Sequence, residues 1–323
     1  MVFQSTLPIS INEMPKEIRE LNADTPLFGM TLGMRVMQNK VDSIFEKLLN
    51  FKMSKSENLS YNKNLDVEII EKEIITQCDF GCLIPPPNVV ILTPTGSPND
   101  DNKIFCITQM YKEEFSLNDN KYLDICADEA IFRRLIKSHA RWKKIRPILG
   151  QWHTSKNMLN AIVDYRSTRR ILELVWVATG IAIHIYAKIK NIGIEEIPTG
   201  PTDQNICIKA WYFYYQYFTI WKSHLIGICI GNYNLQRNSL TAFAPLFPVT
   251  GKNNYTTSVV HFLSILKKYL NLERKFQYCA SINLARKGHY PAFDEALKTY
   301  GIGYIKQNII GNIIDQENLN LQI

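Results

Sequence analysis

Two polar side chains near the middle of the chain, Asp128 and His153, have the types and positions needed for chemistry. Asp128 ends an apolar run and begins a helical pattern, which is where open α/β sheets place groups that contact ligands. His153 follows Trp152 after a second apolar run, and an imidazole there could bind a divalent metal, orient a carboxylate or contact a phosphate. Each residue also has a structural interpretation, because carboxylates stabilise helix starts and histidines serve as caps or core residues. Taken singly, both positions favour the structural interpretation.

A third candidate is Asp79, which lies between Cys78 and Cys82. The two thiols have no second Cys or His pair at a matching distance, so their spacing argues against a zinc site. Asp79 could instead be the first acidic residue of a two-metal site, in which carboxylates hold two cations against the attacking and leaving oxygens. Asp79 is therefore a candidate metal ligand.

A dense basic segment follows Asp128 and supplies the candidate nucleic-acid contacts. Its members are Arg133, Arg134, Lys137, Arg141, Trp142, Lys143, Lys144 and Arg146, and a second set is Arg166, Arg169 and Arg170. Cations at this density could track a phosphate backbone while Trp142 stacks on a base. A solvated helix face has the same pattern. The formal net charge of +7 and the pI near 8.9 favour binding to a polyanion slightly over a solvated helix face.

The elements that must position these residues form a strand, helix, strand unit. Residues 122–127 and 147–150 are compact apolar runs typical of buried strands, and residues 128–142 carry apolar side chains at helical spacing with the basic residues largely off the apolar face. Another helix begins at Trp152. Because the unit fits within about 30 residues, its spacing predicts two parallel strands joined by a crossover helix.

Helical patterns surround this unit on both sides. The other predicted elements are helices at 34–51, 103–114, 169–189, 208–227, 257–270 and 293–299, a strand at 89–92, and a solvated linker at 52–64. Three segments are expected from them: a helical N-terminal segment with a polar linker (1–72), an α/β core (73–165), and a mainly helical region that packs on the core (166–323).

Two long apolar stretches, residues 171–189 and 207–231, approach the roughly 20 residues that cross a bilayer. Glu173, His184 and Lys222 interrupt them, which favours two buried helices over membrane spans. The aromatic run at 211–218 is too dense for a one-sided stacking platform and is expected in the core. Scattered cysteines and an N-terminus without a leader pattern predict an intracellular, reducing compartment and no membrane association.

Several short motifs carry a resemblance to known proteins. They are Asp128-Glu129-Ala130-Ile131-Phe132-Arg133-Arg134-Leu135, Gly150-Gln151-Trp152-His153-Thr154-Ser155-Lys156-Asn157-Met158, Gly231-Asn232-Tyr233-Asn234, Phe243-Ala244-Pro245-Leu246-Phe247, Asn254-Tyr255 and Phe293-Asp294-Glu295-Ala296-Leu297. In combination they resemble a fungal family of transposase descent that is defined only as a domain of unknown function. The first two motifs also resemble mutator-type transposases, in which a strand-borne aspartate and a helix precede a strand and a histidine.

The resemblance covers most of residues 79–308 and implies a ribonuclease-H-like α/β core, with a partly parallel sheet and a large, mainly α-helical C-terminal insertion or extension. For active relatives it implies Mg²⁺ chemistry on phosphodiesters. Carried onto this chain, Asp128, Asp79 and Glu295 are the implied metal ligands and His153 is a further catalytic candidate. The closing motif of the family runs Asp-x-Ala-x-Glu, and here its last position is Lys298, which would repel a cation.

Three functions follow as hypotheses. Lys298, together with the lack of a recognisable zinc-finger-like module upstream, favours a catalytically degenerate, transposase-derived domain that binds nucleic acid, with DNA as candidate partner and the nucleus as candidate compartment. The first alternative is an active Mg²⁺-dependent enzyme that cleaves or transfers phosphodiester strands. The second alternative is a protein-interaction domain without nucleic acid. Nothing in the sequence fixes an oligomeric state.

Overall fold

The computed structural model describes residues 2–4, 28–53, 58–82, 84–85, 88–90, 99–118, 121–163, 169–199, 206–283 and 287–296. These residues are mostly helical and contain three two-stranded sheets. The helices are α1 (Leu32–Leu49), α2 (Val67–Thr76), α3 (Asp101–Glu114), α4 (Glu129–Arg141), α5 (Gln151–Ile162), α6 (Arg169–Lys190), α7 (Ile206–Ile230), α8 (Tyr233–Phe243), α9 (Leu246–Val249), α10 (Asn253–Lys268), α11 (Leu270–Cys279) and α12 (Phe293–Ala296). The strands are β1 (Val2–Gln4), β2 (Lys52–Met53), β3 (Leu59–Ser60), β4 (Asn88–Val90), β5 (Leu123–Ala127) and β6 (Ile145–Leu149).

The predicted strand, helix, strand unit is confirmed. Strands β5 and β6 are parallel, with Leu123 opposite Ile145 and Ala127 opposite Leu149, and α4 forms the crossover between them. Helix α4 buries Phe132 and Leu135 on the face towards the sheet and α10. Parallel strands need such a crossover connection. Helix α4 covers one side of the strand pair with its apolar face.

Helix α7 is the centre of the helical layer, where it packs against α1, α5, α6 and α8. Its second half is buried on every side, which explains why apolar residues there are not confined to one face of the helix. The predicted core role of the aromatic run holds for Tyr215 and Phe218, which are buried. Trp211 and Phe213, in the first half of the helix, are about half exposed.

One hydrophobic cluster runs through all three segments that the sequence suggested. It joins Phe45 of α1, Phe132 of α4 and Trp176 of α6, among others. Phe45 meets the Trp176 ring edge-on at a centroid distance of 5.8 Å. In the part of the expected linker that is described, β2 and β3 pair as a short antiparallel ladder. Helices α2, α8, α9 and α11 were not predicted from the sequence.

Helix α6 alone, among the described residues, is long and apolar enough to cross a membrane by length and composition. Half of its most apolar 18-residue window is buried inside the fold. A core helix of a globular protein passes the same test, and the polar side chains of Glu173 and His184 on α6 are both buried against protein partners.

Candidate functional site

Asp128 follows β5 directly, as predicted, and its carboxylate caps helix α4. The residue has an extended backbone, and its Oδ1 accepts a hydrogen bond from the backbone N–H of Ile131 at 3.0 Å. This is N-cap geometry, in which a side-chain oxygen satisfies one of the N–H groups that a helix start leaves unpaired. One oxygen of the strand-borne acid is therefore engaged by the chain itself.

Asp294 caps helix α5 from far along the chain. Its Oδ1 accepts from the N–H of Trp152 at 3.1 Å, and its Oδ2 accepts from the N–H of His153 at 3.0 Å. Helix α5 has no capping side chain of its own because Gly150 occupies the N-cap position. A Cβ at Gly150 would lie 2.5 Å from Asp294 Oδ2, so the glycine makes room for the distant carboxylate.

The His153 ring lies against the same carboxylate. Its Nδ1 is 2.9 Å from Asp294 Oδ2, and the side chains of His153 and Asp294 are 26% and 4% exposed. An ionised carboxylate only accepts hydrogen bonds, so Nδ1 carries a proton and donates it in this contact. Asp294 thus fixes both the orientation of the ring and its tautomer.

Tyr255 lies within electrostatic range of three carboxylates. Burial raises the pKa of its phenol, and the negative charges of Glu129, Asp128 and Asp294 raise that pKa further. The phenol oxygen accepts a hydrogen bond from Asn157 Nδ2 at 2.9 Å. The carboxyl ends of β5 and β6 therefore do gather Asp128, His153 and an acid from the C-terminal part of the chain.

Glu129 is a member of this group that the sequence did not single out. Its Oε1 lies 2.7 Å from Arg133 Nε and accepts a hydrogen bond from Ser258 Oγ at 3.1 Å. The residue is 8% exposed. Since a buried carboxylate is stable only when it is paired, Arg133 and Ser258 hold Glu129 in place between α4 and α10.

Glu295, the predicted late acid, is half-buried beside this group rather than part of the cap. Burial raises the pKa of its carboxyl and the charge of Asp294 raises it further, while Arg169 and His153 oppose the shift. The sequence left both Asp294 and Glu295 able to supply the late carboxylate, and Glu295 was the predicted metal ligand. In the structure, Asp294 makes the direct contacts with α5.

Asp79 lies among other elements. Its side chain is exposed, and its backbone carbonyl accepts from Asn232 Nδ2 at 2.9 Å in the turn between α7 and α8. Gly81, two residues later, also contacts this turn, because its backbone N–H donates to the carbonyl of Ile230 at 2.9 Å. Lys298, at which the chain departs from the motif implied by the resemblance, lies outside the described residues.

The acids present do not fit the Mg²⁺ site that the resemblance implies. Magnesium needs several oxygen ligands in a near-octahedral shell, and carboxylates supply the protein's share. Here Asp128 Oδ1 and both oxygens of Asp294 accept N–H hydrogen bonds. Within the described ranges, no group of three or more His, Cys, Asp or Glu side chains is placed to hold a metal ion.

The predicted basic segment divides into two parts with different surroundings. The first part, on α4, is matched by acids: Arg133 meets Glu129, while Arg134 and Lys137 both meet Asp101, the latter at 2.6 Å. Arg134 also donates to the carbonyl of Ala130. Much of the positive charge on this helix is therefore neutralised locally.

The second part lies at the amino ends of β5 and β6 and meets aromatic rings. Arg146 is 4% exposed and pairs with Asp124, with Nη2 to Oδ2 at 2.8 Å. We call this region the amino-end surface. It comprises Tyr122, Asp124, Lys143, Lys144, Arg146, Lys268, Tyr269 and Lys275. Trp142, expected to stack on a base, is half-buried with Lys112 over its ring at 5.4 Å.

Sequence reasoning missed the contribution of α10 and α11 to this surface. Lys268 and Tyr269 end α10, and Lys275 reaches Asp124 Oδ2 at 3.3 Å from α11. These residues lie more than 100 positions after β5, so local patterns do not connect them with it. One available signal was the tyrosine at position 122, which follows Lys121 and begins the apolar run 122–127.

Comparison with known proteins adds no family or fold to this description. No family model matches the chain, and searches of curated proteins and of solved structures give no significant match.

Proposed function

We propose that this chain is a nucleic-acid-binding domain of transposase descent, built on a ribonuclease-H-like core, that has lost phosphodiester chemistry. The observation that carries the proposal is the amino-end surface, where Lys144, Arg146, Lys268 and Lys275 gather from two parts of the chain. Asp124 is shared by Arg146 and Lys275, so a single negative charge is divided between two cations. Clustered cations of this kind draw in a polyanion and release its counterions on binding.

The hydrogen bonds that the candidate acids make within the fold support the loss of phosphodiester chemistry. A two-metal enzyme needs carboxylates that converge on the cations. Asp128 and Asp294 instead have oxygens committed to the N-termini of α4 and α5, and Asp79 contacts the α7–α8 turn. These commitments give the acids a structural role whether or not catalysis occurs.

Binding can be measured as fluorescence anisotropy of end-labelled oligonucleotides over a salt series. We expect an affinity that falls steeply with salt, with a smaller slope in Lys144→Gln and Lys268→Gln, because each lost phosphate contact lowers the slope by about 0.7 to 0.9. Lys190→Gln, an exposed lysine at the end of α6, is the matched control and leaves the slope unchanged. Absence of binding even at low salt would refute the proposal.

The alternative of an active Mg²⁺-dependent enzyme draws on the placement of the acids: Asp128 and Asp294 both lie within electrostatic range of Tyr255, and Asp294 is next to Glu295 and contacts the His153 ring. Incubation of the protein with supercoiled plasmid and Mg²⁺ or Mn²⁺ separates the two functions. We expect no nicking above that of a parallel preparation of Asp128→Asn. Nicking that disappears in Asp128→Asn would establish the enzyme instead.

A protein-interaction role draws on a different surface. Ile171 and Leu174 on α6 and Trp211 and Phe213 on α7 are apolar side chains that are each about half exposed. Apolar exposure of this kind marks interaction sites when the residues are contiguous. This role becomes the leading hypothesis if the anisotropy series shows no nucleic-acid binding.

A further inference from the structure

Strand alternation explains why cations and rings meet on the amino-end surface. Parallel pairing sets Asp124 opposite Arg146, and side chains two residues apart on a strand share a face, so Tyr122 and Asp124 lie on the same side as Lys144 and Arg146. Farther along the same face, Cys126 and Ile148 line the apolar interior under α10 and α11. The face is therefore polar only at its amino end.

Tyr122 presents an exposed ring between these cations. The residue is 41% exposed. Lys144 Nζ lies 4.6 Å, and Arg146 Cζ 4.7 Å, from the centroid of its ring. Cations at these distances are attracted by the ring quadrupole, which orders two long side chains before any ligand arrives. Ordering that precedes binding reduces the entropy lost on association.

Tyr269 continues the aromatic surface from the end of α10. Its ring meets the Tyr122 ring edge-on with a centroid distance of 5.6 Å. Lys268 Nζ lies 5.3 Å from the Tyr269 centroid, and Arg146 Cζ lies 5.9 Å from it. The two tyrosines thus form a bent platform with positive charge around it.

We propose that the amino-end surface binds single-stranded nucleic acid, with an unpaired base stacked on Tyr122 and the flanking phosphates held by Lys144, Lys268 and Lys275. This inference rests on the proposed function and names its ligand class. A π-face is available for stacking only where a base is unpaired and unstacked, whereas a duplex offers phosphates and groove edges. Three cations of α4 that could have followed a duplex backbone are tied to acids, Arg133 to Glu129 and both Arg134 and Lys137 to Asp101.

The test compares affinities for single strands and for the duplex of the same sequence at one salt concentration. The probes are a labelled 20-nucleotide DNA, its duplex form and the matching RNA strand. We expect tighter binding of both single strands than of the duplex. Tyr122→Ala is expected to weaken single-strand binding about tenfold, because stacking on one base contributes roughly 1 to 3 kcal/mol. The same variant leaves duplex binding within about twofold.

Two further variants distinguish a loss of stacking from a loss of folding if Tyr122→Ala perturbs the fold. Tyr122→Phe retains the ring and is expected to restore single-strand affinity to near the original value. Trp211→Ala, at an exposed aromatic position on α7, is the matched control and leaves affinity unchanged. Thermal unfolding of each variant shows whether a loss of affinity has a structural cause.

The outcomes separate this inference from the function on which it rests. Nucleic-acid binding with a duplex preference, or with no response to Tyr122→Ala, overturns the single-strand assignment and leaves the binding function standing. Equal binding to vesicles containing an anionic lipid, also insensitive to Tyr122→Ala, overturns it in favour of a surface that recognises charge alone. No binding to any probe at low salt overturns both.

Discussion

Replacing Asp294 distinguishes a helix cap from a catalytic acid by the sign of a stability change. Asp294 is 4% exposed and accepts hydrogen bonds from the N–H groups of Trp152 and His153 and from the His153 ring. If its main role is to cap α5, then Asp294→Ala destabilises the protein. If acids are instead held together for chemistry, removing one relieves repulsion and leaves stability unchanged or raised.

The size of the effect follows from the contacts. Loss of an N-cap side chain costs about 1 kcal/mol. A second N–H, partly buried, left without an acceptor adds a cost near the lower end of about 1 to 3 kcal/mol. The favourable interaction of a carboxylate with the helix N-terminus contributes roughly 0.5 kcal/mol more. We therefore expect Asp294→Ala to lower the free energy of unfolding by about 3 kcal/mol, and Asp294→Asn, which keeps one oxygen acceptor, to lower it by about half as much.

Urea unfolding at pH 7, followed by tryptophan fluorescence and circular dichroism, measures both values. Glu295→Gln is the matched control, since Glu295 is the next residue and the pKa of its carboxyl is raised by burial and by Asp294. Its replacement is expected to change stability by less than about 0.5 kcal/mol or to raise it slightly. An Asp294→Ala protein as stable as the original would refute the capping argument and restore the catalytic interpretation.

Three other substitutions test neighbouring parts of the structure. Gly150→Ala places a Cβ 2.5 Å from Asp294 Oδ2, and we expect it to lower the urea midpoint in the original protein but to have little effect in an Asp294→Ala background. Burial raises the pKa of Asp42 from 3.8 to about 7, so its contribution to stability is present below pH 4 and is lost as the pH rises through 7. In urea unfolding, the free energy of unfolding should therefore fall by an amount on the order of 3 to 4 kcal/mol between pH 4 and pH 8. Asp42→Asn, which still accepts a hydrogen bond from Tyr215 Oη, should remove this fall. Lys222 is fully buried, with its Nζ 2.8 Å from Glu71 Oε2 and 2.7 Å from Glu173 Oε1. Lys222→Met should therefore lower the free energy of unfolding at pH 7 by about 3 kcal/mol. In a double-mutant cycle, adding Glu173→Gln should recover part of that loss.

The strand, helix, strand unit was predictable because its signals are local. Apolar runs bounded by polar residues gave β5 and β6, and the helical spacing of Ala130, Ile131, Leu135 and Ile136 gave α4 within one or two residues of its observed ends. The buried apolar residues of α4 are Phe132 and Leu135, so the predicted face was only partly correct. Helix α11 was missed because the predicted helix stopped at residue 270, and only two apolar residues of α11, Leu272 and Phe276, are buried. Two apolar positions among charged and polar residues give too weak a periodic pattern to predict a helix.

The site was predictable only as a set of candidates, because its defining contacts join distant positions. Asp128 and His153 were placed correctly at the carboxyl ends of the strands. Their relation to Asp294 depends on how α12 packs against α5 and β5, which no local pattern encodes. The basic segment read as one stripe in the sequence, yet Asp101 on α3 neutralises its first part and tyrosines surround its second.

Helix dipoles account for the way charge is divided between the two ends of the strand pair. Helices α4 and α5 both begin at the carboxyl ends of β5 and β6, where their partial positive charges favour acids such as Asp128 and Asp294. Helix α4 ends near the amino end of β6, where its partial negative charge favours cations, and there His139 Nδ1 lies 2.7 Å from the carbonyl of Ile145. Acids gathered at the carboxyl edge are thus expected in any strand, helix, strand unit with short loops, with or without catalysis. The cations at the amino end exceed what one helix terminus accounts for, because Lys268 and Lys275 come from α10 and α11. That excess is the part of the charge pattern on which the proposed nucleic-acid binding rests.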